Sequence, residues 1–427
     1  MDDDYVTTWE VYGLKTDPFS TSPILVKGGL ISPKSFIGRE DEIRRLEKIF
    51  RSSGGSRSIV CGMQGVGKTT LVNMARINAL GNQFFTPYQE IKIDFEWGIN
   101  DFIINSMAAI YSTLIKIPEP SSELSEIRDK LKILFDTYEK RDASYSISTP
   151  FGGGGFGGST TIHNAQINTT WLMETFQELT NSLAESGFRE VVLHYNNLDT
   201  FDEEEVKMKK LFNRIRDFIQ TPKVHFIFVG SPTTSSIIHA IPRVSNIITD
   251  TPIHLEPLTL TNVKKLIRAR IKSSEIKGVN AFDPVSDEAI EILYELHNGN
   301  IRAILNSLST ALREVTEEKP VYLTKDVLCK VLYTTAQRRF SRKITPTMQK
   351  VLMEMLMQKE STNKSLVVKL GKQSQNISKY LKILKENQCI TLLRTDGREK
   401  FYAVAEWVKW LLLKPEGQHQ TAVDDFS

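Results

Sequence analysis

The chain has 427 residues, with 54 lysines and arginines against 51 aspartates and glutamates, a formal charge of +3. That length admits two or three domains, each with its own core, and the composition is that of an ordinary globular protein. No run of about eighteen apolar residues occurs, which excludes a transmembrane helix.

The N-terminus, Met1-Asp2-Asp3-Asp4, is acidic and lacks an apolar signal region, so a cytoplasmic protein with no membrane partner is expected. Residues 1–35 carry little functional signal. Tyr12-Gly13-Leu14 and Pro18-Phe19 within them are expected to pack against the core. Cys61, Cys329 and Cys389 have no metal-ligand spacing and read as free thiols in packed positions, not as zinc ligands or disulfides.

Phe36-Ile37-Gly38-Arg39-Glu40-Asp41-Glu42-Ile43-Arg44-Arg45-Leu46 opens the first helix. Ile43, Leu46, Ile49 and Phe50 have helical spacing, and the acids fall in the first turn, where they suit the dipole. Gly54-Gly55-Ser56 separates this helix from a short buried strand, Ser58-Ile59-Val60-Cys61. Gly62-Met63-Gln64-Gly65-Val66-Gly67-Lys68-Thr69 follows and fits G-x-x-x-x-G-K-[ST] at every fixed position. A helix is predicted over 70–80. Glycines let successive N–H groups turn toward an anionic phosphate, and the helix N-terminus adds partial positive charge. The pattern therefore predicts binding of ATP with Mg²⁺ through Gly62, Gly65, Val66, Gly67, Lys68, Thr69 and Thr70. Lys68 reaches the β- and γ-phosphates, and Thr69 offers a hydroxyl to the metal.

Three further strands are predicted: Ile91-Lys92-Ile93-Asp94-Phe95, Glu190-Val191-Val192-Leu193-His194-Tyr195 and Val224-His225-Phe226-Ile227-Phe228-Val229. Alternation with helices implies a parallel sheet whose ligand sits at the carboxyl ends of the strands. The tips at Gly62–Thr69, Asn196–Asp199 and Ser231 are then the ones that matter. Between the first and second of these strands lies a long insertion with a glycine tract around 141–165, including Phe151 and Phe156. Its alternating flanks suggest a hairpin with a flexible tip, either a plain mobile loop or a contact to bases or a neighbour.

Helical segments over 258–271, 287–297 and 301–315 form a small lid, Pro320-Val321 reads as a boundary, and another helix starts at Lys325. From Thr345 a first helix carries Met348, Val351, Leu352, Met355 and Leu356 on one face. A second, with Leu366, Val367 and Leu370, stops at Gly371. Ser374 is expected to cap a third, whose buried stripe is Ile377, Leu381 and Leu384. Two strands, 390–394 and 400–404, flank Asp396-Gly397, a strong hairpin turn. Three helices and a hairpin make a winged helix. Between Arg338 and Lys400 there are 15 basic and 5 acidic residues, the footprint of a phosphate-backbone partner on a mildly acidic body. Gln375, Ser378, Lys379 and Lys382 are expected to face duplex DNA from the third helix, and Arg394, Arg398 and Lys400 from the wing. A protein-docking role is the alternative for such a module.

The order of Gly38-Arg39-Glu40, the phosphate loop, Asn196-Asn197-Leu198-Asp199, Val229-Gly230-Ser231, Ile241-Pro242-Arg243-Val244 and Gly299-Asn300-Ile301-Arg302 resembles AAA+ ATPases. With the winged-helix end it most resembles the origin-recognition initiator clade, over roughly residues 30–405. The resemblance implies an α/β AAA+ P-loop core at 36–255, a helical lid at 256–337, a DNA-binding winged helix at 338–413 and a disordered tail at 414–427. It also implies homo- or hetero-oligomers through the core. Arg243 would be a finger near a neighbour's nucleotide, and Arg302 a second sensor touching the γ-phosphate in cis.

One departure stands out. The family's third strand usually ends in an acidic pair that helps hold Mg²⁺ and polarises the attacking water. Here Asn196 and Asn197 occupy those positions, and an amide cannot act as a general base near pH 7. Asp199 is the nearest carboxylate, either a substitute base or a cap for the acidic helix that follows. Slow or partner-dependent ATP hydrolysis is therefore expected. The alternatives are a signal-transducing ATPase switch and a non-hydrolysing nucleotide-binding scaffold in a transposition, defence or partition complex.

Overall fold

Five short apolar runs pair into one sheet because each can satisfy its backbone only against another. In this computed structural model, residues 6–52, 54–94, 96–118, 120–141, 168–201, 205–340, 344–358, 360–396 and 399–415 are described. The glycine tract with Phe151 and Phe156, the wing residue Arg398 and the tail from residue 416 lie outside the described residues. The chain divides into two units, Pro23–Glu256 and the residues up to Ser22 together with those from Pro257 onward.

The strands of the first unit are β1 (Ser56–Gly62), β2 (Ile91–Lys92), β3 (Val191–Asn196), β4 (Val224–Gly230) and β5 (Ile253–Leu255), in the spatial order β2-β3-β4-β1-β5. All neighbours are parallel, and Val60 of β1 lies opposite Val229 of β4 on one side and Ile253 of β5 on the other. Parallel strands need crossover helices, which cover both faces and leave near-continuous apolar runs. β4 accordingly buries its whole length, Val-His-Phe-Ile-Phe-Val-Gly.

The pleat sorts the side chains. Val60, Val192, Ile227 and Val229 pack with α1 (Glu40–Arg51) and α2 (Lys68–Gly81). On the other face Ile59, Leu193, Tyr195, Phe226 and Phe228 pack with α3 (Ile99–Leu114), α4 (Ser122–Arg141), α5 (Thr169–Glu185) and α6 (Glu205–Ile215). Two shorter helices, α7 (Pro232–His239) and α8 (Pro242–Ser245), follow β4. The edge strand β2 is shorter than its apolar run. Lys92 pairs with Asn196, the last residue of β3, so the partner ends there.

The second unit contains the three helices expected to form a lid, α9 (Leu260–Ser274), α10 (Asp287–Leu296) and α11 (Ile301–Val315), then α12 (Lys325–Phe340). Tyr12, Leu14 and Phe19 are buried, and they pack in this unit. The Tyr12 hydroxyl meets Thr316 Oγ1 at 2.6 Å and both bonds to and accepts from the backbone of Val321 at 3.1 Å. Leu14 forms an antiparallel bridge with Glu275. Buried Arg270 donates to the Ser20 carbonyl at 2.7 Å, and burial lowers its guanidinium to a pKa of about 10. Pro320-Val321 is thus a tethered turn and not a boundary, since Leu323 also pairs with Val285.

Beyond it come α13 (Pro346–Leu356), β6 (Ser361–Thr362), α14 (Asn363–Leu370), α15 (Ser374–Glu386), β7 (Ile390–Asp396) and β8 (Glu399–Val404). The three strands form an antiparallel sheet in the order β6-β8-β7. Met348, Val351, Leu352, Met355, Leu366, Ile377, Leu381 and Leu384 make the core, as their spacing predicts. Gly371 ends α14 at φ +61°. Ser374 is not the cap of α15. Gln373 holds that position, while the Ser374 hydroxyl donates to Asn363 Oδ1 at 2.7 Å and so braces α15 on α14.

Candidate functional site

The carboxyl end of β1 runs directly into the phosphate loop, at the centre of the sheet. Gly62 fits there because a Cβ would lie 2.6 Å from the Leu255 carbonyl of β5. Gly67 stands at φ +98° as the residue before α2, a left-handed conformation open to glycine without penalty. The Lys68 ammonium turns back over the loop and donates to the carbonyls of Gly62 at 2.8 Å and Met63 at 3.1 Å. Thr69 and Thr70 occupy the first turn of α2, and the buried Val66 side chain anchors the loop in the core beneath it.

β3 delivers Asn196 to the same place. Its Nδ2 donates to Thr69 Oγ1 at 3.1 Å, while its Oδ1 accepts from the Asn197 N–H at 2.9 Å. The second bond fixes the amide so that its donor end faces Thr69. Asn197 takes φ +69°, a left-handed conformation that asparagine tolerates better than most residues. Asp199 lies half-buried in a short 3-10 turn, Leu198–Phe201. Among the described residues the next helix, α6, runs from Glu205. The Leu198 carbonyl accepts from Thr234 Oγ1 at 3.2 Å, and Ser231 caps α7 by accepting from the Thr234 N–H at 3.0 Å. The tips of β1, β3 and β4 are therefore linked by side chains.

Arg39, at the N-cap position of α1, reaches the loop from outside. Its Nη2 donates to the Val66 carbonyl at 3.3 Å and to the Glu256 carbonyl, and its Nη1 pairs with Glu42 at 2.9 Å. Sequence offered only its place in Gly38-Arg39-Glu40.

Behind the loop lies a buried polar cluster on α2. Arg76 donates to Thr86 and Asn73 at 2.8 Å each, to the carbonyls of Pro87 and Gln89, and to His194 Nδ1 at 3.3 Å. Burial, reinforced by the Arg76 charge, holds His194 well below the ordinary histidine range. Nδ1 also lies 3.3 Å from Asn73 Oδ1, so the ring's tautomer decides which of the two contacts it makes. Cys61 sits under the loop with its sulfur 3.2 Å from His254 Nδ1, and burial raises its thiol pKa. All three cysteines are free and buried.

The two arginines are not brought to the loop within this unit's described bonds. Arg243 is exposed on α8, whose Val244 is buried. Arg302 is exposed in the first turn of α11 in the second unit, where Asn300 caps the helix.

For a metal, Thr69 offers one neutral oxygen. Among the described residues no group of three or more His, Cys, Asp or Glu could hold an ion. The Thr69 oxygen is of the hard, neutral kind that Mg²⁺ accepts alongside phosphate oxygens.

In the second unit Gln375, Ser378, Lys379 and Lys382 are all exposed on α15, opposite its buried stripe. Ser378 Oγ accepts from Asn363 Nδ2 at 2.8 Å. Arg394 lies on β7, and Lys400 is exposed on β8. No helix among the described residues is long and apolar enough to cross a membrane.

Site and sheet together define the α/β fold expected from the sequence, a five-stranded parallel sheet with the glycine-lysine loop at the carboxyl end of β1. No family model matches the chain. It is 22% identical over 320 residues to an uncharacterized HTH-type transcriptional regulator of Methanocaldococcus jannaschii, covering 70% of this chain and 69% of that one. It is similar to the solved Aeropyrum pernix ORC2 protein (ADPNP-ADP complexes), at 12% identity and a TM-score of 0.46, covering 97% and 98% of the two chains. It is also similar to the Aeropyrum pernix ORC1 protein in complex with DNA, at 12% identity and a TM-score of 0.42, covering 89% and 93%.

Proposed function

We propose that this is an ATP-binding AAA+ protein whose nucleotide state controls its assembly and its grip on duplex DNA, in the manner of a replication initiator. The observation that carries the reading is the convergence of Lys68, Thr69 and Asn196 on a phosphate loop at the sheet's centre. On nucleotide binding Lys68 exchanges two backbone carbonyls for β- and γ-phosphate oxygens, and the N–H groups of Gly65 to Thr70 surround the phosphates. Thr69 would offer its hydroxyl to a Mg²⁺ bound with the nucleotide, which would neutralise phosphate charge. The residues at 338–413 form the DNA-binding module, with Gln375, Ser378, Lys379 and Lys382 toward a groove and Arg394, Arg398 and Lys400 toward phosphates.

Hydrolysis is slow or partner-dependent in this reading. Asn196 points a donor, not an acceptor, toward the Thr69 hydroxyl, and no amide there can take a proton from water. Asp199 is the carboxylate left to do so, with Arg302 in cis and Arg243 in trans as charge stabilisers. The relative's description as an HTH-type regulator and the DNA in the Aeropyrum ORC1 structure agree with a DNA partner.

A second reading is a signal-transducing ATPase switch, favoured by one specific observation. The 3-10 helix Glu406–Leu412, which follows the hairpin, is locked to the lid by Glu406 on His297 at 2.6 Å and Trp410 on Ser307 at 2.9 Å. In that reading the module is released by a partner.

Light scattering with ATP, ADP or neither, each with and without duplex DNA, tests the proposal. The expected result is a nucleotide-dependent change in mass or DNA binding that Lys68→Ala removes. DNA binding indifferent to nucleotide would overturn it.

A further inference from the structure

Arg39 holds the phosphate loop from outside, and peptide geometry says what that accomplishes. The residue is almost wholly enclosed, at 7% exposure. One nitrogen serves two carbonyls, Val66 in the middle of the loop and Glu256 at the end of the framework behind β5, while the other is held by Glu42. A planar trans peptide sends its C=O and N–H to opposite sides. Drawing the Val66 carbonyl out toward Arg39 therefore turns the Gly67 N–H the opposite way, into the concavity that Gly65 (φ +86°) and Gly67 (φ +98°) curve around.

The start of the loop is already pinned, because Gly62 packs against the Leu255 carbonyl too closely to admit even a methyl group. Arg39 pins its middle to Glu256, the residue after Leu255. We infer that Arg39 is a positioning residue for the nucleotide site: it sets the Val66–Gly67 peptide so that the Gly67 N–H already faces the phosphate before any ligand arrives. A planar fork is required for this. A lysine is a compact point charge on a flexible, shorter stem and does not reproduce the fork's fixed spacing between the carbonyls and the carboxylate.

The inference rests on the reading that this loop binds a nucleoside polyphosphate, and its test separates the two. Titration calorimetry of the full chain with ADP and with AMP, both with Mg²⁺, gives an affinity ratio that reports the β-phosphate alone. Arg39→Lys and Arg39→Met are expected to lower that ratio roughly tenfold, the worth of one hydrogen bond to a charged group, while AMP affinity stays within about twofold. Glu42→Gln keeps both carbonyl contacts and is expected to preserve the ratio.

An unchanged ratio in folded Arg39 variants would overturn the inference. So would ADP and AMP weakening in parallel, which is the signature of general structural damage. Thermal melts identify the folded variants, and Arg39→Lys, which retains charge and most of the stem, carries the test if Arg39→Met does not fold. Wild-type protein that binds no ADP would instead sink the nucleotide reading itself.

Discussion

Single residues decide the chemistry at the tips of the sheet, and some of them depart from expectation for local reasons. Asn196 is an example: its identity was plain in the sequence, but its orientation was not, because the Asn197 N–H fixes which end of the amide faces Thr69. His194 is another. Periodicity marks it only as a strand residue, whereas in the fold it is sealed beside Arg76, and burial followed by that charge drives its pKa down. The consequence for stability has a definite sign. An unfolded histidine takes up a proton near pH 6.5, while the folded one stays neutral, so the unfolded state gains protons first and stability falls as pH drops below about 6.5. The slope is ~1.4 kcal/mol per pH unit until the folded group titrates. Thermal unfolding between about pH 7.5 and 5 should show this limb in the wild type and a flatter one in His194→Gln.

At the scale of elements, helix and strand positions followed their spacing closely. α11 begins and ends where the sequence placed it, and α12 begins where it was expected. β6 was missed, since two residues carry no alternation to read. The cap of α15 was misplaced by one residue because Ser374 is engaged by Asn363, a partner eleven residues away. That bracing matters for α15, which presents its lysines on a helix fixed at its start. Lys379→Ala combined with Lys382→Ala should weaken duplex DNA binding at low salt about tenfold and reduce the salt slope by about 2, as two lost phosphate contacts require. Fluorescence anisotropy across a salt series reads both. Unchanged binding would remove α15 from the interface.

For the whole molecule, the second unit holds the lid and the hairpin module together through a buried relay. The Trp410 indole N–H donates to Ser307 Oγ, Ser307 Oγ lies 2.9 Å from His297 Nε2, and His297 Nδ1 lies 2.6 Å from Glu406. A neutral imidazole with Nδ1–H toward the carboxylate leaves Nε2 to accept from the serine, whose one proton is shared with the Ala303 carbonyl at 2.9 Å. Burial lowers His297, in keeping with that state. Ser307→Ala looks conservative but leaves the indole donor and a ring nitrogen buried without partners. It should cost roughly 2 kcal/mol in urea denaturation. If the module is held in check by the lid, the same variant should bind duplex DNA more tightly than wild type. A stable variant with unaltered DNA binding would argue against the switch reading.

The sequence by itself determined the glycine-lysine loop between β1 and α2, the parallel α/β core and the order of the helical segments and the basic stretch after them. These depend on local patterns: a fixed glycine-lysine spacing, apolar runs and helical periodicity. Only the tertiary structure decided that Tyr12, Leu14 and Phe19 fold with the C-terminal unit, and that Arg39 grips Val66. It alone also seals His194 and His297 away from water. Each of those facts depends on partners far apart in the chain, where sequence spacing carries no distance.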